Sequence, residues 1–449
     1  MTQPPVQRLI CKLAVPCIIS MLITSFYNMA DTFFVGMMDN TAATGAVGVV
    51  FSMMAIIQAV GFFFGHGSGN YISRELGKKN SDEACNMAAT GFFAALISGT
   101  LICVAGQIWL DETARLLGSS ETILPYTRGY LRVILLGAPW MAGSLVLNNQ
   151  LRYQGNAIYA MVGIVTGAVL NIVLDPILIF SLELGVAGAG WATIISQFIS
   201  FCILFVGCMR GNNIKIRISK IQFRWFYYGM IIRGGLPSLA RQCLASFAAI
   251  CLNRAASQYG DAAIASIGIV QRIMMFGAST MIGFGQGFQP VCGFNFGAGF
   301  YQRVRQGFWF CVKVSFVFLT IVSIAMFIFA PEIIAVFQSN DPDVIRYGAL
   351  ALRFQCITFP AQSWIVMCNM MEQSIGRTVS ATFLSAARQG IFFIPAIFIL
   401  SGLFGLTGIQ MSQAVADFVT LLCAIPIHIY VLKTMEPDLQ HCNTSLQSP

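Results

Sequence analysis

The stretch "LAVPCIISMLITSFYNMADTFFVG" (residues 13–36) is apolar almost throughout, yet it contains a carboxylate, Asp31, near its end. It is long enough to cross a bilayer, which requires about 20 predominantly apolar residues in a helix. Similar runs recur along the 449-residue chain, which is 57% hydrophobic and only 10% charged. An ordinary soluble domain contains about 25% charged residues. The sequence therefore predicts an all-α polytopic membrane protein.

Length and turn residues divide the chain into about twelve predicted transmembrane helices. A β-barrel is not predicted, because the apolar runs do not alternate with polar residues. The approximate spans are 10–35, 43–72, 84–110, 122–149, 157–181, 187–209, 231–257, 263–291, 306–330, 344–370, 379–401 and 407–432.

Basic residues concentrate in alternate loops, above all in "MRGNNIKIRISKIQFRW" (209–225). The positive-inside rule then places both termini in the cytoplasm of a multi-pass protein of the plasma (inner) membrane. The net charge of +8 follows from this bias and does not indicate a nucleic-acid partner. The expected partners are the lipid bilayer and small molecules, and the protein is expected to function as a monomer.

The two halves of the chain resemble each other. "GVAGAGWATIISQF" (185–198) aligns with "GLTGIQMSQAVADF" (405–418) at an offset of 220 residues, and Gly155 aligns with Gly376 at 221. A duplicated six-span unit keeps its orientation, so the prediction is a parallel repeat of two pseudo-two-fold-related six-helix bundles. The predicted parts are an N-terminal bundle (1–209) with a cation site, a cytoplasmic linker (210–230), a C-terminal bundle (231–433) and a cytoplasmic tail (434–449).

Two acids of the first half, Asp31 and Asp175, lie well inside predicted spans. Placing an ionisable side chain there costs about 2.5–3.5 kcal/mol, so such residues usually have a function. Tyr27 precedes Asp31 by four residues and Asn171 precedes Asp175 by four, which puts each pair on one helix face. Thr193, in the next span, can add a hydroxyl.

These oxygen-bearing side chains suit Na⁺, and the two carboxylates can alternatively exchange a proton, because neighbouring acids do not both ionise cheaply. Pro176 adds a further oxygen, since it leaves the carbonyl of Ile172 without its helical donor. A purely structural role, in hydrogen bonds between packed helices, is the alternative interpretation.

The second half has no acid at the positions aligned with Asp31 and Asp175, so no cation site is predicted there. Arg241, Arg388 and Asp417 lie within or near its spans. Buried arginines beside acids most often form ion pairs that hold helices together. A role in switching between outward-open and inward-open states is the second interpretation.

Three motifs carry a resemblance to a known family: "YNMADTFFVG" (27–36), "NIVLDP" (171–176) and "GFGQGFQPVCGFNFGA" (283–298). The chain resembles the multidrug and toxic compound extrusion (MATE) transporters, in their bacterial DNA-damage-inducible branch. The resemblance implies a cation-coupled antiporter that expels amphipathic, often cationic drugs. It also implies a first-half ion site, for Na⁺ or H⁺, at Asp31, Asn171, Asp175 and Thr193, with Tyr27 beside it.

Other functions are less well supported by the sequence. The chain has no P-loop, so an ion gradient is the expected energy source and no cofactor is expected. A flippase for lipid-linked sugars or polar lipids, built on the same duplicated architecture, is the alternative, because Arg241, Arg272 and Arg388 provide cations for a pyrophosphate. An intramembrane enzyme is not expected, since no histidine lies near a candidate nucleophile in the sequence.

Overall fold

The structure is a computed structural model that describes residues 2–37, 41–211, 213–338 and 341–435. The side chains of residues 28, 31, 32, 35, 36, 41–44 and 261 lie outside this description. The described residues form helices and connecting turns, without a β-strand. The prediction of an all-α membrane protein is therefore confirmed.

Sixteen α-helices succeed one another along the described chain. They are α1 (Val6–Gly36), α2 (Thr41–Gly77), α3 (Ser81–Ile108), α4 (Leu110–Leu116), α5 (Leu124–Tyr153), α6 (Ala157–Pro176), α7 (Gly185–Met209), α8 (Trp225–Ala256), α9 (Asp261–Gly297), α10 (Tyr301–Ile328), α11 (Ala330–Phe337), α12 (Pro342–Thr358), α13 (Gln362–Ile375), α14 (Thr378–Ala386), α15 (Phe393–Phe404) and α16 (Leu406–Thr434). A π-helical turn follows α6 at Ile177–Ser181, and a second one joins α14 to α15 at Ala387–Ile391.

Eleven helical segments within the described residues are long and apolar enough to cross a membrane. The remaining predicted span, 344–370, is instead two shorter helices, α12 and α13, separated by a 3₁₀ turn at Phe359–Ala361. Pro360 lies in that turn, and a proline removes a helical hydrogen bond and clashes with the preceding turn. The tenth predicted span is therefore broken near its middle.

The described chain divides into two compact units. The N-terminal unit comprises Val15–Leu239, and the C-terminal unit comprises the described residues before Val15 and after Leu239. The first turns of α1 thus pack with the C-terminal unit, whereas the rest of α1 packs with the N-terminal unit.

The packing of α1 on the C-terminal unit depends on a glycine of the motif at 283–298. A Cβ atom added to Gly287 would overlap the backbone of Ala14 in α1, so the two helices approach too closely for any larger residue. Gly268, on the same helix α9, has open space where its Cβ would lie.

We expect Gly287→Val to lower the free energy of unfolding by about 1–3 kcal/mol, the usual cost of overpacking a filled contact. Gly268→Ala is the matched control and should leave stability unchanged or slightly higher, since alanine is the better helix former. Thermal unfolding of the purified variants measures both effects. Equal melting temperatures for the two variants would show that α1 and α9 do not pack as described.

Candidate functional site

Three of the predicted site residues lie together in the N-terminal unit. Asn171 and Asp175 are on the last two turns of α6, and Thr193 is on α7; all three side chains are at most 1% exposed. A carboxylate buried this deeply inside a membrane-spanning helix needs hydrogen bonds or a cation to offset its lost hydration. The neighbouring amide of Asn171 provides one such bond.

The hydrogen-bond network decides the orientation of the Asn171 amide. In the better orientation its nitrogen donates to Asp175 Oδ2 at 3.1 Å, and its oxygen accepts from the backbone N–H of Thr193 at 3.2 Å. The opposite orientation gives contacts of 3.5 Å to Asp175 Oδ1 and 3.4 Å to Thr193 Oγ1, which are too long for good hydrogen bonds. The amide nitrogen of Asn171 therefore donates to Asp175, and a rotation of the amide would present its oxygen to a cation instead.

The backbone after Asp175 departs from regular helix. Pro176 ends α6, and the π-helical turn Ile177–Ser181 follows directly. A Cβ atom on Gly188 of α7 would lie 2.5 Å from the carbonyl oxygen of Leu178, so the glycine allows α7 to approach this turn closely. π-Helical turns are rare and frequently occur at functional sites, where they place backbone and side chains outside the usual helical positions.

The turn of α1 that follows Asp31 packs against this region. Phe34 of α1 and Val47 of α2 contact a small buried cluster formed by Ile179 and Ala189. The side chain of Asp31 itself lies outside the described residues, and Tyr27, one turn before it, is buried at 7% exposure. The segment of α1 that contains Asp31 thus belongs to the same layer of the N-terminal unit as the segments that contain Asp175 and Thr193.

Asp417 of α16 is the centre of a polar network in the C-terminal unit. It is 1% exposed, and its Oδ1 accepts hydrogen bonds from Arg388 Nε at 2.9 Å and from Gln413 Nε2 at 3.0 Å. Its Oδ2 accepts a third hydrogen bond from Gln362 Nε2 at 2.8 Å. Arg388 lies on the second π-helical turn, which joins α14 to α15. Arg388 and Asp417 therefore form an ion pair. Arg241, the third predicted residue, lies half-buried on α8.

Gln362 and Gln413 were not predicted as members of this network. The sequence signal for Gln413 exists, since it precedes Asp417 by four residues and must share its helix face. Gln362 comes from α13, 55 residues away, and no local pattern predicts that contact.

A cavity of about 360 Å³ opens beside the ion pair within the C-terminal unit. Its polar wall is mostly neutral and its apolar wall contains methionines and phenylalanines. The polar residues that line it are Gln271, Gln355, Gln362, Arg388, Gln389, Gln410, Ser412 and Gln413. The single cation among them is already neutralised by Asp417, and Arg272 does not line the cavity.

A model of the MatE family matches residues 16–177 and 237–399, one match in each half of the chain. The chain belongs to the MatE family. The resemblance predicted from the three sequence motifs is thus confirmed, and the two matches agree with the duplicated architecture.

Relatives and solved structures agree with the family. This MatE protein is 28% identical over 432 residues to the multidrug export protein MepA of Staphylococcus aureus (strain MSSA476), covering 96% of this chain and 94% of that one. Its structure superposes with a TM-score of 0.91 on an outward-facing multidrug resistance MATE transporter of the MOP superfamily, 25% identical, covering 97% and 98% of the two chains. The structure also superposes on a MOP superfamily transporter from Pyrococcus furiosus, with a TM-score of 0.90 and 25% identity over 97% of each chain. The reversed polarity of that transporter's binding pocket suggests that it has a different function.

Proposed function

We propose that this protein is a multidrug efflux antiporter that exports amphipathic, often cationic compounds in exchange for Na⁺ or H⁺. The observation that carries the proposal is Asp175, which is fully buried in a membrane-spanning helix beside Asn171 and Thr193. The name of the staphylococcal relative, a multidrug export protein, supports the substrate class. The Phe- and Met-containing wall of the C-terminal cavity suits pliable contacts with varied apolar groups.

The coupling site would include Asp31 as well as Asp175. Phe34 lies three residues after Asp31, Ile179 four residues after Asp175, and Ala189 four residues before Thr193. The first and fifth spans cross the membrane in the same direction, and the sixth span crosses in the opposite direction. Phe34, Ile179 and Ala189 therefore all lie about one helical turn from the corresponding site residue, toward the same side of the membrane. We infer that Asp31, Asp175 and Thr193 occupy one level of the N-terminal unit.

The cation would act by neutralising buried negative charge. Binding of Na⁺ or H⁺ removes the desolvation penalty of the two carboxylates and releases the Asn171 amide from its hydrogen bond to Asp175. The helices around the π-turn can then repack, with Pro16 in α1 and Pro176 in α6 as points where helical hydrogen bonds are already missing. The ion shifts the equilibrium between the outward-open and inward-open states only as far as its affinities for those two states differ.

We propose alternating access by rocking of the two six-helix bundles, as in other transporters built from parallel repeats. The basic loops favour a plasma-membrane protein with both termini in the cytoplasm. A flippase for lipid-linked sugars remains the alternative function. It would require several unpaired cations for a pyrophosphate. Among the described residues that line the C-terminal cavity, the one cation is Arg388, and Asp417 neutralises it.

Dye efflux from vesicles with separately imposed gradients tests the proposal. Purified protein is placed in vesicles that contain a fluorescent cationic dye, and either a pH gradient or a Na⁺ gradient is applied. We expect one of the two gradients to drive dye against its concentration. Dye movement that ignores both gradients would contradict antiport, and movement of a pyrophosphate-linked lipid instead would favour the flippase.

A further inference from the structure

The C-terminal unit contains a second group of buried titratable side chains, separate from the network around Asp417. Glu372, on the last turn of α13, faces His428 of α16, with 3.8 Å between Glu372 Oε1 and His428 Nδ1. Both side chains are completely buried, at 0% exposure. Neither carboxylate oxygen and neither ring nitrogen has a hydrogen-bond partner among the described residues. We refer to these two residues as the buried pair.

Aromatic rings enclose the buried pair. Phe308 of α10 stacks on the imidazole of His428 with ring centroids 4.0 Å apart, and Trp364 of α13 meets it edge-on at 5.5 Å. The indole N–H of Trp364 also lacks a hydrogen-bond partner within the part of the chain that the structure describes. These rings exclude bulk water from the buried pair and bring three helices, α10, α13 and α16, into contact at this point.

No further charge among the described residues lies within ion-pair distance of the buried pair. From α13 itself the nearest titratable group is the thiol of Cys368, one turn before Glu372 in the sequence. α9 approaches α13 through the neutral side chain of Gln289, and α14 does so through Ser385. On α10 the titratable residues that follow Phe308 are Cys311, which is buried, and Lys313. α15 contains no titratable residue, and the last one on α12 is Cys356.

The net charge of Glu372 and His428 together determines how many protons the buried pair can hold. With one proton between them the carboxylate and the imidazole have no net charge, whether the proton makes a neutral pair or an ion pair. With no proton the net charge is −1, and with two it is +1; both are costly in a dry, low-dielectric site. The state with a single proton, which has no net charge, is therefore the least costly state of the two groups together.

The geometry also argues against a merely structural ion pair. Charge-assisted N–H···O bonds are usually about 2.7–2.9 Å long, and a pair kept for stability would satisfy its other oxygens and nitrogens. Here the separation is longer and four polar atoms remain without hydrogen bonds. A small relative shift of α13 and α16 would close the contact or admit water to it.

We propose that Glu372 and His428 form a proton-binding site of the C-terminal unit, whose single proton is exchanged during efflux. The part of this proposal that concerns efflux rests on the proposed antiport function. The proton is held between carboxylate and imidazole while the aromatic rings seal the site. It leaves to water when α13 and α16 separate.

Intrinsic fluorescence tests whether the site titrates, independently of transport. A protonated imidazole quenches a neighbouring indole, so Trp364 reports on His428. Purified full-length protein should show a pH-dependent fluorescence step that marks the gain or loss of the proton held by the buried pair. Trp364→Phe should remove the step. Glu372→Gln should change the proton concentration at which the step occurs at least tenfold, and His428→Gln should abolish it.

Asp111→Asn serves as the control, because it removes an acid of the other unit that lies outside the proposed cation site, and it should leave the fluorescence step unchanged. Size-exclusion chromatography identifies any variant that fails to fold, and either of the two substitutions in the buried pair is sufficient for the test. A step that persists unchanged in Glu372→Gln or in His428→Gln would overturn the proposal.

Coupling is measured in the same vesicles that are used for dye efflux. If the buried pair contributes one transported proton per cycle, that proton multiplies the steady-state ratio of dye concentrations by about ten for each unit of imposed pH difference. Glu372→Gln should remove this factor. An unchanged dye gradient in Glu372→Gln would overturn the proposal that this proton is exchanged during efflux. Absence of dye efflux in the wild type would count against the proposed function alone, since the fluorescence result does not depend on it.

Discussion

Asp175→Asn is expected to abolish drug resistance while the protein remains folded in the membrane. Asparagine has nearly the same shape as aspartate and can still form a hydrogen bond with Asn171, so packing of α6 against α7 is preserved. It cannot become negatively charged, and so it loses the response to Na⁺ or H⁺ that antiport requires. Because a buried charge is removed, the free energy of unfolding should stay equal or rise.

The measurement is growth of drug-sensitive cells that express each variant, together with the amount of protein in their membranes. We expect Asp175→Asn to reduce resistance to that of cells with an empty vector, and we expect the same of Asp31→Asn. Asp111→Asn is the matched control, because Asp111 lies partly exposed on the short helix α4 and pairs with Arg128 outside the proposed site. Resistance at the wild-type level in both Asp31→Asn and Asp175→Asn would rule out the assignment.

Asp417→Ala is expected to destabilise the C-terminal unit strongly. Removing one partner of a buried ion pair leaves the other charge uncompensated, which costs about 3–5 kcal/mol. Here the substitution leaves Arg388 without its carboxylate and the side chains of Gln362 and Gln413 without their acceptor. We expect a large loss of correctly folded protein and a clearly lower melting temperature.

A double substitution separates the two interpretations of this ion pair. Arg388→Gln combined with Asp417→Asn removes both charges but retains hydrogen-bonding groups, so it should recover most of the stability that Asp417→Ala loses. If the pair only holds helices together, the double variant should also export drugs. A stable double variant without efflux would instead assign the pair to switching between outward-open and inward-open states.

The spans were predictable because lipid imposes a simple requirement on length and apolarity. The repeat was predictable because glycines and prolines mark backbone requirements that recur at a fixed offset. The break in the span 344–370 was missed, although Pro360 lies within it, because a proline inside a membrane helix can produce either a kink or a break. The choice between them depends on neighbouring helices that a local pattern does not contain.

In the candidate site, too, local sequence patterns predicted some features, whereas others depend on tertiary packing. The i, i+4 spacing of Asn171 and Asp175 correctly placed both side chains on one face of α6. The sequence suggested the amide oxygen as a cation ligand, whereas the hydrogen bonds orient the amide nitrogen toward Asp175. The buried pair joins residues 56 positions apart on two helices, so only the tertiary packing brings Glu372 and His428 together.

Difference infrared spectroscopy of the purified protein tests most directly whether Asp175 binds the coupling cation. The carboxylate and carboxylic acid groups absorb at different frequencies, so binding of Na⁺ or H⁺ to a carboxylate changes its bands. We expect lowered pH or added Na⁺ to change bands in the wild type that are absent from Asp175→Asn. Spectra in which neither cation affects a band that Asp175→Asn removes would contradict the account.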